Sequence, residues 1–448
     1  MNMLKAGFSQ VDATSAFGAF MDGYFVPRYV EGVLDALQLR CLALSCGEDK
    51  VLLLSIDTCE IETDYSDRVR QHVSEVTGVP VEAIFFHATH THTGASLYNR
   101  TPPGPLDLQY QELINHRAAA AAVMALEDLK PAKMGFAVGQ APNIAFVRRF
   151  RMKDGSVQTN PGVNNPDILH PIGDVDERVN VLRFDRENGE TIVLMNFGNH
   201  PDTVGGKKLS ADWPGFACTA VERAIPNTKA IFFNGAEGDV NHVNVHPVGG
   251  DLNDLYMDFD DVTRGYGHAQ HMGNVVAGGV LQVYGKVQYV DVDKLAFAQK
   301  IVKIPSNMPT AEELAQARQI DALHKAGKDA ELPYTGMMLT TVVAEAGRMV
   351  DLAEGPAYYE LTLGAVALGG VAMLAIPGEP FTGIGRGLKQ TEGFDMVMPA
   401  CLTNGCEGYF PMQDSYDEGG YEARSSYYKA GVAEIIIAEG QQLLQSLK

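Results

Sequence analysis

The chain is short of positive charge, of paired cysteines and of long apolar runs. Lysine and arginine total 35 against 56 aspartates and glutamates, a formal net charge of −21. A surface of that sign repels a polyanion, so nucleic acid is excluded as a partner. The six cysteines (Cys41, Cys46, Cys59, Cys218, Cys401 and Cys406) form no CxxC pair and no dense framework. That argues against a disulfide scaffold and for buried free thiols in a reducing compartment. The longest apolar run, LGAVALGGVAMLAIPG (Leu363–Gly378), is too short and too rich in glycine to span a bilayer, so no transmembrane segment is expected. The opening residues, MNMLKAGFSQVDAT, lack an apolar h-region and a small-residue cleavage site, so no signal peptide is expected. These absences make the expected location cytoplasmic. No low-complexity stretch, Ser/Pro linker or internal repeat is visible.

What is present is globular. With 448 residues, 46% of them hydrophobic, the chain can bury a large core as one big α/β domain or two ordinary ones. Strand and helix patterns alternate. VLLLSID (Val51–Asp57) reads as a buried strand, DYSDRVRQHVSEVTG as a helix capped by Gly78, and IFFHAT as the next strand. HRAAAAAVMALEDLK (His116–Lys130) is a strong helix, and TIVLMNFGNH, WPGFACTAVERAI and KAIFFNG repeat the strand–helix–strand order. From about Val290 the pattern changes. VDVDKLAFAQKIVKI alternates like a half-exposed strand, and YYELTLGAVALGGVAMLAI supplies two more around a glycine turn. Between them Thr310 and Glu313 form a capping box for a helix with Leu314, Ala317 and Ile320 on one face. A last helix is expected from about Arg424 to the end. The expected fold is α/β, mixed β-sheets layered with helices, in a single domain over 1–448 with a sub-boundary possible near 290.

Four apolar strands open into polar groups. ATHTHTG (Ala88–Gly94) carries His90 and His92, which share a face if the strand stays extended, with His87 facing the other way as a structural residue. NFGNHPDT places His200 at a strand end before a proline. FFNGAEGDVNH offers Asp239 and Asn241 among glycines that let a backbone approach a ligand. AIPGEPF holds Glu379 between glycine and proline. Any one of these stretches suits an ordinary turn. Four of them at the same kind of strand end suit one crevice, because loops at one edge of an α/β sheet converge.

In order and spacing, ATHTHTG, NHP (Asn199–Pro201), NGAEGDVN (Asn234–Asn241) and PGEPFT (Pro377–Thr382) resemble the neutral/alkaline ceramidase family. So does the opening stretch Gly32–Asp57, and the resemblance covers nearly the whole chain. It implies a ceramidase-like catalytic domain without the C-terminal β-sandwich and secretion signal of long members, and a zinc-dependent hydrolase of an N-acyl amide bond. Position by position it implies that His90 and His200 are zinc imidazoles and Glu379 the carboxylate ligand. Tyr409 is implied as a weak ligand, and Tyr421, twelve residues on, faces the substrate carbonyl. His92 is implied as the catalytic or substrate-orienting histidine. Arg148 resembles the arginine beside the scissile group, with Arg149 a near competitor. Such a donor set suits a catalytic Zn²⁺ with one position left for water, whose pKa zinc lowers to about 7. His92, Tyr421 and Arg148 would stabilise the oxyanion and protonate the leaving amine.

The departures bear on substrate. Asn241 and His242 stand where the family has serine and proline, which removes a serine-nucleophile route and leaves Asn241 to hydrogen-bond near the substrate. HTHTGAS replaces HTHSGPGG, so Gly94 lies in a differently shaped substrate loop. HPDT replaces HPTS, and Asp202 could orient His200 through its second nitrogen or lie solvated. The segment 305–343, with Met308, Met337 and Met338, is a candidate lid, or its methionines are core filler. The acidic stretch GGDLNDLYMDFDD (Gly249–Asp261) suits a second cation, an amine-bearing substrate or simple solvation. The expected partner is a small-molecule or lipid-like amide, with a homo-oligomer possible. An ester, a glycosidic bond or a lyase reaction at the same zinc is the alternative, and an inactive metal-binding relative is a third reading.

Overall fold

The computed structural model describes residues 3–98, 103–248 and 265–448; the acidic stretch 249–261 lies outside them. One topological unit occurs three times. Each unit has three antiparallel strands in succession, then a helix, then a fourth strand parallel to the third, then a second helix.

In the first unit the strands are Leu4–Asp12, Gln38–Cys46, Asp49–Ile56 and Ile84–Ala88, with helices Thr63–Thr77 and Pro105–Glu127. In the second they are Lys130–Gln140, Arg178–Arg186, Thr191–Phe197 and Thr228–Asn234, with helices Asp212–Ala224 and Tyr266–Val283. In the third they are Leu295–Pro305, Tyr358–Leu368, Val371–Ala375 and Met396–Ala400, with helices Thr382–Leu388 and Val432–Gln445. The first two units join edge to edge through Lys5–Ala6 and Lys130–Pro131 into one nine-stranded sheet, and the third makes a sheet of its own. The repeat invisible in the sequence is therefore present in the topology.

The units are held by the same contact. In each of the first two, the last helix lies so close on the first strand that only glycine fits. A Cβ on Gly7 would stand 2.0 Å from the Ala125 carbonyl oxygen, and one on Gly139 would stand 2.0 Å from that of Gly279. The apolar runs are continuous rather than alternating because both faces are covered; Val51 to Ile56 and Ile84 to Ala88 are all buried.

Local chemistry sets the boundaries. Gly78 ends the helix Thr63–Thr77 at φ 72°, its N–H donating to the Ser74 carbonyl. The alanine-rich helix begins at Pro105, earlier than its composition suggests, because proline suits the first turn and Asp107 accepts from the Gly104 N–H at 2.8 Å. The capping box at Thr310 and Glu313 is formed, and Ala317 is the buried residue of that helix. The expected terminal helix is instead two. Tyr421–Ser425 is a short turn, the chain then extends so that Tyr428 is buried beside Ser306, and Gly431 at φ 105° starts Val432–Gln445.

The parallel strands of the three units meet at their carboxyl ends. Asn234 donates its N–H to Nε2 of His87 at 3.0 Å, the Cys401 N–H donates to the Asn234 carbonyl at 3.1 Å, and the Asn404 N–H donates to the Phe86 carbonyl at 2.8 Å. His87 is buried there, its Nδ1 2.9 Å from the Cys401 carbonyl, and burial pushes it down to about 3. It is a neutral structural residue. Six strand ends, two from each unit, thus surround one place.

Candidate metal centre

His90 and His92 leave the end of Ile84–Ala88, but not in extended form. His90 sits at φ 75°, so the alternation that would put both rings on one face does not operate. Their convergence comes from the turn: the His90 N–H donates to the Thr58 carbonyl at 2.9 Å and the His92 N–H to the Pro201 carbonyl at 3.0 Å. Gly94 is buried with its Cα against Thr58, where a Cβ would meet the Thr58 Cα at 2.7 Å. It packs this turn closely, and its N–H donates to the Thr91 carbonyl at 3.3 Å.

His200 follows Thr191–Phe197, and its carbonyl accepts from the Trp213 indole at 3.2 Å. Glu379 stands in a two-residue strand paired in parallel with Tyr409–Phe410, so Glu379 and Tyr409 are direct neighbours. Nε2 of His90 and Nε2 of His200 lie 3.5 and 3.2 Å from the same oxygen, Oε2 of Glu379. Donor atoms of His90, His200, Glu237 and Glu379, all buried, lie within 4.8 Å of one another.

The tautomers follow from the outer partners. Nδ1 of His90 is 2.8 Å from the Cys59 carbonyl, which can only accept, so Nδ1 carries the hydrogen. Nδ1 of His200 faces the Glu237 carboxylate and the carbonyls of Glu237 and Val240, while its Nε2 faces an Arg148 donor at 3.2 Å. Both neutral rings would then aim Nε2 lone pairs at a carboxylate oxygen that receives no well-directed hydrogen bond among the described residues. Buried acceptors facing one another are repulsive unless positive charge lies among them; Arg148 supplies a donor at His200, and Oε2 of Glu379 is the atom left without one among the described residues. The charges agree. Burial alone would lower the His90 imidazole, but Cys59, Glu237 and Glu379 together hold it well above its ordinary range. Burial alone would raise the Glu379 carboxyl, but His90 and His200 hold it well below. The residues present fit a divalent ion: two imidazoles and a carboxylate converge, and each imidazole is fixed through its other nitrogen.

Around this group stand the other expected residues. Arg148 lies between Phe146–Val147 and Arg149–Met152; its Nη2 donates to the Gly238 carbonyl at 2.8 Å and its Nε is 2.6 Å from Oε1 of the fully buried Glu422. Its guanidinium carbon is 5.3 Å from the centre of the Tyr409 ring, and the Tyr409 and Tyr421 rings are 5.6 Å apart. Burial, with Glu379 next to it, pushes the Tyr409 phenol well above its ordinary value. Arg149 turns away to Ser415 and Glu418, which leaves the site to Arg148. His92 lies with Nε2 3.3 Å from Nε2 of His90; burial, with His90, His200 and Arg28, holds it well below its ordinary value. Asn241 does not reach the cluster with its amide, which donates to Asn160 and accepts from the Val243 N–H, both at 3.0 Å.

Several contributors were not read from the sequence. Asp202 does not serve His200. Glu237 takes that place, and Asp202 lies 3.7 Å from Nδ1 of His92 and accepts from Tyr24. Glu237 had a faint signal as a second acid in NGAEGDVN, where Asp239 is engaged by the Thr382 N–H and hydroxyl at 2.7 Å each. Gly23 and Arg28 come from the loop joining the first two strands. A Cβ on Gly23 would touch Nδ1 of His92 at 2.6 Å, and Arg28 donates to the His92 carbonyl at 2.6 Å. The candidate lid is the helix pair Ala311–Lys325 and Gly336–Leu352, tied to the Tyr421 turn by Arg348 donating to the Arg424 carbonyl at 2.9 Å.

No family model matches this chain, and no curated protein does. Solved structures do. Neutral ceramidase from Pseudomonas aeruginosa superposes with a TM-score of 0.72 at 18% identity, over 100% of this chain and 74% of that one. A ceramidase complexed with C2 gives 0.70 at 17% identity, over 100% and 75%. The chain has the mixed α/β fold of the neutral ceramidase catalytic region, as the motif resemblance implied.

Proposed function

We propose that this protein is a zinc-dependent hydrolase of ceramidase type that cleaves the N-acyl bond of a small or lipid-like amide. The observation that carries this is the convergence of Nε2 of His90 and Nε2 of His200 on one oxygen of Glu379. These three would hold the ion, with Tyr409 as a weak fourth ligand. When bound, zinc supplies a Lewis acid and a water whose pKa falls to about 7.

The chain's own residues do the rest. Glu237 and the Cys59 carbonyl hold the two imidazoles in the ligating tautomer. Arg148, fixed by Glu422, and Tyr421 bring donors to the side where charge grows on the substrate carbonyl oxygen. His92, kept neutral by burial, would take at Nε2 the proton that the attacking water loses and return it to the departing amine. Asp202, beside Nδ1, offsets the charge so formed. Phe25, 43% exposed, stacks edge-on to Tyr421 at 6.2 Å, and Val26 is 71% exposed, which supports an apolar substituent on the substrate. All six cysteines are free and buried, which suits a reducing, cytoplasmic setting.

The test is a panel of N-acyl amines alongside esters and glycosides, with products identified by mass. Release of a carboxylic acid and a free amine is expected. Turnover confined to esters or glycosides would assign the same centre to another bond.

A further inference from the structure

A second group of imidazoles lies outside this centre. His242 follows the short strand Val240–Asn241 and is 1% exposed. Neither of its ring nitrogens has a hydrogen-bond partner among the described residues. A neutral imidazole carries one donor and one acceptor, and leaving both unmet in an interior is costly enough that such groups point to a missing ligand. Its neighbour is His268, also buried, in the first turn of Tyr266–Val283. The two rings are 5.8 Å apart at 86°. At the principal centre His90 and His200 stand 4.8 Å apart at 73°, and His92 and His200 5.9 Å apart. His271 follows one turn later, its ring 6.4 Å from that of His268 and exposed, so a line of imidazoles runs from the interior to the surface.

We propose that His242 and His268 form a second transition-metal site, taking a borderline cation such as Zn²⁺ or Co²⁺, with water completing the shell. Imidazole is the ligand type such ions select, and hard cations such as Mg²⁺ and Ca²⁺ prefer oxygen. Burial, with His268 and His200 nearby, holds the His242 ring well below its ordinary value and so in the neutral, ligating form. Two protein ligands and the positive end of a helix make this site weaker than the principal one.

The test is a Co²⁺ titration of the metal-stripped full chain, followed by visible absorption and calorimetry. The wild type should take up two equivalents in two phases. His242→Gln and His268→Gln, each checked for folding by circular dichroism, should lose the weaker phase and keep the tighter one. His90→Ala should do the reverse. A wild type that binds a single equivalent, or a weaker phase that survives in both variants, overturns the proposal. An unchanged titration with a raised KM in His242→Gln also overturns it and assigns the ring to substrate. The tighter phase belongs to the principal centre, so failure there leaves the weaker phase separately readable.

Discussion

The carboxylate of Asp202 lies 3.7 Å from Nδ1 of His92, although Asp202 is two residues from His200 in sequence. The turn after His200 carries it across the centre, where Tyr24 also donates to it. Asp202→Asn should therefore lower kcat by about tenfold and leave metal content unchanged, the loss expected for a group that only steadies a proton carrier. Kinetics beside metal analysis checks this; a drop in bound metal would return Asp202 to His200.

Glu237 has the complementary role. Removing its charge while keeping its shape, as Glu237→Gln, takes the negative partner from Nδ1 of His200 and leaves the carbonyls of Glu237 and Val240. Metal affinity should fall about 10- to 100-fold, and excess zinc should restore turnover. Activity at saturating metal, set against activity at limiting metal, reads the difference.

Gly23 is a steric seat for His92. At φ 99°, with a Cβ that would meet Nδ1 at 2.6 Å and the ring carbon at 2.8 Å, it admits no side chain. Gly23→Ala should displace the imidazole and reduce kcat at least tenfold, with the zinc content of wild type. Retained activity would show that the ring has room to move.

Asp212 gives a pH signature in stability. It lies at φ 52° and accepts backbone N–H groups from Thr203, Val204 and Trp213, and burial still pushes its carboxyl up to about 7. The folded value is above the unfolded value of about 3.9. Its favourable contribution is therefore complete below pH ~4 and is lost as pH rises through about 7. Asparagine tolerates the positive φ and does not titrate. Thermal unfolding from pH 5 to 8 should show the wild type losing ground to Asp212→Asn as pH rises. Parallel curves would contradict this.

Much of the centre was legible because chemistry-bearing residues follow apolar strands, and strand ends in parallel pairs converge. His90, His200, Glu379, Tyr409, Arg148 and Tyr421 lie together in the structure. The geometry behind His90 and His92 was not legible, because a left-handed residue breaks the two-residue period that sequence reasoning relies on. Glu237 and Glu422 escaped because an isolated acid in a turn reads as solvated, and their burial exists only once distant strands assemble. Asp202, which could have served His200 or lain solvated, reaches His92 instead, since proximity in sequence does not say which way a turn faces. The threefold unit was invisible for a related reason. Strand order and direction can recur while the side chains do not, and only the glycine approaches at Gly7 and Gly139 mark the repetition.

The proposed chemistry requires one ion held between imidazoles of the first two units and a carboxylate of the third. The direct measurement is an anomalous-scattering map at the zinc edge from crystals of the full chain, with Glu379→Gln measured alongside. A peak within about 2.0–2.2 Å of Nε2 of His90, Nε2 of His200 and a Glu379 oxygen is the predicted result, lost or strongly weakened in the variant. A fully folded wild type, grown with zinc, that shows no peak among these three side chains would contradict it.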